Sequence, residues 1–386
     1  MNEPGFLDYY RARGIIPTRQ DLTDRVPHLN RRRALYLQLG IVPAFLAGRR
    51  VLEFGPGPGD NALFTVLGNP ETYVFVDGNE TSLEHIEAKE KAGEFEGVAV
   101  EKHLMDFLAF QDDRTFDLVL AEGCIHGQED PAAYFSHIAG FVAPGGVLVT
   151  TTQSFISIFP EICRRMVKPV FARRHPDFDD QVKALVAFFQ PDLKSLQGMS
   201  RLHEDWVMDQ ILHPYRKFTF TIAEAIDTVA DSFDFLGSSP RFATDWRWYK
   251  SMDGSDPGIN DVARSCHAAQ AAAFLDYRIT PDQVGACDGQ LLERMCEKAF
   301  DLHLEIWRDD DVARLPEFAD LTTEIAAMAA DASPGTARSL IDFTHGIRAL
   351  AQGDMAADFG SFPTLYGRCL QFVSFVRRPP VSGQAS

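Results

Sequence analysis

The run Glu53-Phe54-Gly55-Pro56-Gly57-Pro58-Gly59 places three glycines directly behind a short apolar segment, Arg50-Val51-Leu52-Glu53-Phe54. Glycine at such a place admits positive φ and lets the backbone approach a bound molecule with no side chain between them. Dinucleotides are held by a related loop, G-x-G-x-x-G, but counted from Gly55 that pattern needs glycine at position 60, where Asp60 stands. An acid there would meet a pyrophosphate at the helix N-terminus with like charge. Glu53, two residues before the first glycine, adds negative charge that suits a cationic amino-acid ligand carrying no phosphate.

Three further groups follow at spacings that fit one ligand. Asp77, followed by Gly78, closes the β-branched and aromatic run Thr72-Tyr73-Val74-Phe75-Val76, where a carboxylate can accept from both hydroxyls of a ribose. Asp106-Phe107 pairs an acceptor for an amino group with an aromatic face. Glu122-Gly123-Cys124-Ile125-His126 leaves the apolar run 116–121, and ligands of parallel sheets bind where strands end.

The elements that must position these residues alternate. Apolar runs at 50–54, 72–77, 97–103, 116–121 and 146–151 read as strands, and 60–67, 80–92 and 131–142 read as helices between them. Such alternation predicts an α/β fold, a doubly wound and mainly parallel sheet covered by helices on both faces. Residues 1–48 read as a helical cap interrupted by prolines, and 49–152 as the ligand-binding domain. Residues 153–386 read as an appended, mainly helical region, with stretches at 181–189, 203–211, 222–233, 259–275, 291–307, 318–330 and 337–350 and turns at 237–240 and 254–258.

In order and spacing these motifs resemble the class I S-adenosylmethionine-dependent methyltransferases over residues 50–152: E-F-G-P-G-P-G is similar to their first motif, V-F-V-D to their second, and F-D-L-V-L-A-E-G and P-G-G-V-L-V to their later strands. The resemblance implies S-adenosylmethionine as cofactor. It places Glu53, Gly55, Gly57 and Gly59 around the methionine end, Asp77 with Gly78 at the ribose, Asp106 and Phe107 at the adenine, and Glu122 and Gly123 beside the sulfonium. The chain departs from the family after residue 153, where the short antiparallel ending of the sheet is not evident and the helical region follows.

Methyl transfer to a hydroxyl or neutral amine is helped by a base within hydrogen-bond reach, and three residues are candidates. His126 follows the fourth strand, although a loop histidine also serves as a surface or packing residue. Glu122 has a similar position, with cofactor binding or helix capping as its plainer role. His203 heads the polar segment 201–216, which reads equally as an amphipathic helix with Trp206 and Ile211 inward. H-E at 203–204 lacks a second histidine at 207, where Val207 stands, so no zincin motif is present. The six cysteines are scattered without a C-x-x-C pair, and no metal site is expected.

A formal net charge of −18 disfavours nucleic acid as partner, because a phosphate backbone is repelled. The exception is an N-terminal group, Arg11, Arg13, Arg19, Arg25, Arg31, Arg32 and Arg33, expected to be a solvated helix face on an acidic body. Composition, 45% hydrophobic and 24% charged, is that of a globular protein. With no apolar run long enough to span a bilayer and no signal-like start, the expectation is a cytoplasmic enzyme methylating a small or medium polar acceptor, oxygen before nitrogen or carbon. The helical region is expected to carry the acceptor pocket or a homo-oligomer contact. Tyr9, Tyr10, Arg11 and Arg13 suggest a lid, and Asp245-Trp246-Arg247-Trp248-Tyr249 a stacking platform or an inter-domain packing cluster. A binding protein without catalysis, or a methyltransferase of nucleic acid or protein, are the other readings.

Overall fold

The computed structural model describes residue 9 and residues 20–196, 198–215, 219–252 and 257–380 of the 386-residue chain. Tyr10, Arg11, Arg13, Arg19, Arg216 and residues 254–256, all invoked above, lie outside the described residues.

Strands form where apolar runs are buried on both faces. β1 (Arg50–Phe54), β2 (Thr72–Asp77), β3 (Ala99–Leu104), β4 (Phe116–Ala121) and β5 (Val142–Thr152) are mutually parallel, and β1, β2 and β4 are buried along nearly their whole length. That explains their continuous rather than alternating hydrophobicity. β3 is the half-exposed edge. The helices between them start at side-chain caps: Asn79 accepts from the amide of Thr81 ahead of Glu80–Lys91, and Asp130 from that of Ala133 ahead of Pro131–Ala139.

The sheet does not stop at β5. β6 (Phe233–Ser239) and β7 (Gln371–Arg377) complete a seven-stranded order β3-β2-β1-β4-β5-β7-β6, with β7 antiparallel to both neighbours. The antiparallel ending missing from the sequence pattern is therefore present, and residues 153–386 do not form one appended block. Two compact units result: a sheet unit of Met1–Thr152, Phe218–His267 and Leu370–Ser386, and a helical unit of Gln153–Lys217 and Ala268–Cys369. The ending is hard to see because its two strands are far apart in the chain. β6 also includes Gly237, Ser238 and Ser239, residue types that favour turns. Gly237 has a packing reason instead: a Cβ there would stand 2.5 Å from the carbonyl oxygen of Gln38. The β7 Ser374 hydroxyl donates to the neighbouring Leu39 carbonyl at 2.8 Å. On the edge strand, Asn260 accepts from the amide of Phe235 and donates to the carbonyl of Phe233, covering backbone groups left open there.

The N-terminal cap includes the helices Arg25–Gln38 and Pro43–Leu46, whose Tyr36, Leu39, Ile41 and Leu46 join the core with Val51, Tyr73, Phe75 and Leu118. The helical unit is built on Phe155–Arg165, Gly289–Asp309, Leu315–Ala329 and Pro334–Ala351. The first of these carries a capping box between Ser154 and Ser157, and Glu293 accepts from the amides of Phe155 and Ile156 at 2.8 and 3.0 Å. Among the described residues no helix is long and apolar enough to cross a membrane.

Gly237→Ala is expected to overpack the contact between β6 and the N-terminal helix and to cost about 1–3 kcal/mol, read as a lower urea midpoint of the full chain at unchanged m-value.

Candidate functional site

The carboxyl ends of β1, β2 and β4 and the loops that leave them bring the predicted residues together. Gly55, Gly57 and Gly59 all have left-handed backbone, with φ of 65°, 55° and 75°. Gly55 meets a second demand: a Cβ would lie 2.9 Å from Cβ of Cys124 and 3.4 Å from the Phe107 ring, so the loop packs against these side chains at a distance that only glycine allows.

Glu53 is buried at the end of β1 and accepts from the Tyr73 hydroxyl at 2.5 Å. Burial, with Glu122 and Asp77 adding negative charge, pushes its carboxyl up to about 7, against the pull of the Tyr73 hydrogen bond and of Arg32. Glu122, just beyond β4, is held by both terminal nitrogens of Arg32 at 2.8 Å each, a buried fork-on-fork pair, and Asn61 donates to it at 3.3 Å. Gly123, φ 76°, donates its amide to the Thr151 hydroxyl at 2.8 Å, tying the β4 exit to β5.

Asp77 ends β2, buried, with one oxygen accepting from the amide of Asn79 at 2.8 Å, and Gly78 lies between the two. Asp106 accepts from the amide of Leu108 and from the Tyr134 hydroxyl, 2.8 and 3.1 Å away, on the exposed side of Phe107. The Phe107 ring is set edge-on against Phe54 and Tyr134. His126 sits half-buried in the loop between β4 and Pro131–Ala139. His203 belongs to the helical unit, where it opens the helix His203–Gln210 and its Nδ1 lies 3.2 Å from the Gln190 amide nitrogen. Trp206 and Ile211 are buried there, as the amphipathic reading has it.

Two readings of charge need correction. Asp60 is not an open acid: Lys89 pairs with it at 3.0 Å and the amide of Gln20 donates to it at 3.0 Å. Arg32 is not solvated but buried at the Glu122 pair, while Arg25 pairs with Glu94. Sequence reasoning therefore missed Arg32, Tyr73, Asn61 and Thr151. One signal was available: His28, Arg32 and Tyr36, four apart, form the buried stripe of their helix, so an arginine occupies a core position. The aromatic cluster is not packed away, since Trp246 is 92% exposed and Trp248 and Tyr249 are exposed as well. Among the described residues no group of three or more His, Cys, Asp or Glu could hold a metal ion.

The arrangement suits a zwitterionic amino-acid ligand joined to a nucleoside: a glycine loop of left-handed backbone, buried Glu53, the buried Arg32–Glu122 pair, and Asp77 one strand away. Because the folded-state value of Glu53 near 7 lies above the 4.5 of an ordinary glutamate, the folded chain holds this proton more tightly than the unfolded one. That contribution is complete below about pH 4.5 and is lost as pH rises through 7. Glu53→Gln stays neutral and can still accept from Tyr73. Its stability relative to wild type is therefore expected to improve between pH 5 and pH 8 by on the order of 2 kcal/mol in urea unfolding, and a constant difference would show that Glu53 does not titrate in this window.

Among solved structures, the chain is similar to an S-adenosylmethionine-dependent methyltransferase from Mesorhizobium loti (22% identity, 35% of this chain and 55% of that chain, TM-score 0.27). It is similar also to PKMT2 from Rickettsia typhi in complex with AdoHcy (15% identity, 62% and 50%, TM-score 0.43). A third is the N-methyltransferase NodS from Bradyrhizobium japonicum with S-adenosyl-L-homocysteine (19% identity, 38% and 74%, TM-score 0.30). The chain spans about half the length of the first two. No curated protein matches it. A family model described as a methyltransferase domain matches residues 24–227, more than half of the sequence, and the chain belongs to that family of S-adenosylmethionine-dependent class I methyltransferases.

Proposed function

We propose that the protein methylates a hydroxyl oxygen of a small or medium polar molecule, using S-adenosylmethionine held at the carboxyl ends of β1 to β4. The observation that carries the cofactor half is the left-handed glycine loop at the end of β1, packed closely on Cys124 and Phe107, with buried Glu53 at the end of β1 and Asp77 at the end of β2. When bound, S-adenosylmethionine supplies an electrophilic methyl group on a sulfonium, and no phosphate. The chain's own residues do the rest: the glycine loop and Glu53 receive the amino-acid end, Asp77 accepts from the ribose hydroxyls, and Phe107 packs against the base.

Displacement at a methyl group needs an electron-rich oxygen fixed in line, so positioning and exclusion of water supply much of the rate. As the new C–O bond forms, the acceptor's proton must leave. Glu122 is committed to Arg32, which makes it a poor base. His203 is placed in the helical unit and engaged by Gln190. His126, on the loop after β4, is the base we assign, since an imidazole ring nitrogen can take that proton. The helical unit is the place we propose for acceptor selection, or for contact with a second copy. With all six cysteines as thiols, the compartment proposed is a reducing cytoplasm.

Nucleic acid is disfavoured further by the structure of the arginine group, since Arg25 and Arg32 are held by carboxylates and cannot both serve phosphates.

Calorimetric titration with S-adenosylmethionine, S-adenosylhomocysteine and NAD separates the cofactor classes. Binding of the first two alone is expected, and binding of NAD alone would overturn the reading; tight binding without turnover on any acceptor would point to a sensor. Asp77→Ala is expected to weaken S-adenosylmethionine binding by about 1–3 kcal/mol in the same titration. His126→Ala should leave that affinity near wild type and lower kcat by roughly 10²-fold or more in a methyl-transfer assay, and an unchanged rate would remove His126 from the mechanism.

A further inference from the structure

The helix Pro131–Ala139 carries a tyrosine that reaches the exit of β3. Asp130 caps this helix, Pro131 opens it, and Phe135 and Ile138 are buried, so its first turns are fixed against the sheet. Tyr134 is half-buried beside them. Its hydroxyl donates to Oδ2 of Asp106 at 3.1 Å, and its ring stands edge-on to Phe107 with centroids 6.2 Å apart. Burial, the Asp106 hydrogen bond and the Asp106 charge raise the Tyr134 hydroxyl above its ordinary value, so it stays protonated and keeps donating at neutral pH.

Asp106 is exposed, and its Oδ1 accepts from the amide of Leu108 at 2.8 Å as the cap of the short turn Phe107–Ala109. With that bond alone the carboxylate could still turn about its Cβ–Cγ bond. The Tyr134 hydroxyl is a second anchor, and the two together set the carboxylate plane while leaving lone pairs on both oxygens for a ligand. Phe107 is held from several sides as well. Its ring is edge-on to Phe54 at 5.4 Å and to Tyr134, and a Cβ at Gly55 would lie 3.4 Å from it.

A carboxylate can only accept, and the edge of a purine decides whether it is met by a donor. Adenine presents an amino group at its sixth position beside an unprotonated N1. Hypoxanthine presents a carbonyl oxygen there beside a protonated N1, so donor and acceptor change places. A carboxylate held still opposite the sixth position pairs with adenine and meets the hypoxanthine oxygen with like partial charge. One free to turn follows the donor to N1 and accepts either base. Fixing the acceptor therefore converts a contact into a choice, because the wrong base leaves polar groups unpaired.

We infer that Tyr134 is a positioning residue for the adenine end of S-adenosylmethionine: by anchoring Oδ2 of Asp106 it makes the site select a 6-amino over a 6-oxo purine. The inference rests on the reading that Asp106 and Phe107 receive the base.

The test titrates S-adenosylhomocysteine and S-inosylhomocysteine, which differ only at this edge of the base, into the full-length protein by calorimetry. Wild type is expected to bind the adenosyl compound at least about tenfold more tightly. Tyr134→Phe keeps the ring against Phe107 and removes only the hydroxyl. It is expected to weaken the adenosyl compound by roughly three- to tenfold, in line with the freedom Asp106 regains, and to narrow the preference by a similar factor. Asp106→Ala should abolish the preference, and adding Tyr134→Phe to it should change neither affinity further. A tyrosine that only supported the fold would lower the melting temperature and weaken both compounds alike. That result, or a preference unchanged in Tyr134→Phe while Asp106→Ala abolishes it, would overturn the inference alone. A preference that survives Asp106→Ala would remove Asp106 from the base site and the inference with it, and failure of S-adenosylhomocysteine to bind wild type would remove the whole cofactor site.

Discussion

The pairing of Arg32 with Glu122 is the interaction on which the sheet unit's ligand face depends. An arginine on the inner stripe of the N-terminal helix and a glutamate at the exit of β4 are each costly to bury alone, and each becomes tolerable only in the two-pronged contact they make. Removing either partner would leave the other charge stranded, at a cost of about 3–5 kcal/mol. The pair therefore fixes the helix against the mouth of the sheet and sets the field there. Arg32 pulls Glu53 toward its charged form while Glu122 pushes it the other way. Burial tips the balance, so Glu53 stands near neutrality with its proton shared between pH regimes.

The same economy governs the loops. Gly55 comes so near Cys124 and Phe107 that three chain segments, from β1, β3 and β4, share one small volume. The Cys124 thiol in turn points at the Phe54 carbonyl, and the amide of Gly123 is held by Thr151 at the end of β5. A ligand laid across this face would meet backbone and a few oriented acceptors. That is preorganisation by hydrogen bonds already made rather than by side chains waiting to move.

The helical unit repeats the theme with different residues. Arg164 and Arg165, adjacent and both fully buried, are satisfied by a carboxylate, an imidazole and carbonyls, and their flat faces lie on Tyr366 and Tyr215 at 3.7 Å each. Such a polar interior is expensive compared with an apolar one, and it gives the unit oriented donors and acceptors inside a packed framework. The chain can accommodate this unit between strands because the entropy of closing a long connection grows only slowly with its length. β7 thus pairs with β5 although more than two hundred residues separate them in sequence, as the Thr152 hydroxyl donating to the Gln371 carbonyl illustrates.

What the sequence determined by itself was local. The bounds of β1, β2 and β4, the glycine loop with its left-handed backbone, and the placing of Asp77, Asp106 and Glu122 at strand exits follow from runs of a few residues whose period and turn chemistry are visible in order. Tertiary structure decided the rest. Arg32 looked like one of seven surface arginines until Glu122, ninety residues away, made its burial affordable. Asp60 read simply as an acid until Lys89 paired with it, and residues 237–240 read as a turn until β7 paired with β6. In every case the deciding partner is remote in sequence, and the energy of a buried charge or an unpaired strand edge depends on that partner rather than on neighbours along the chain.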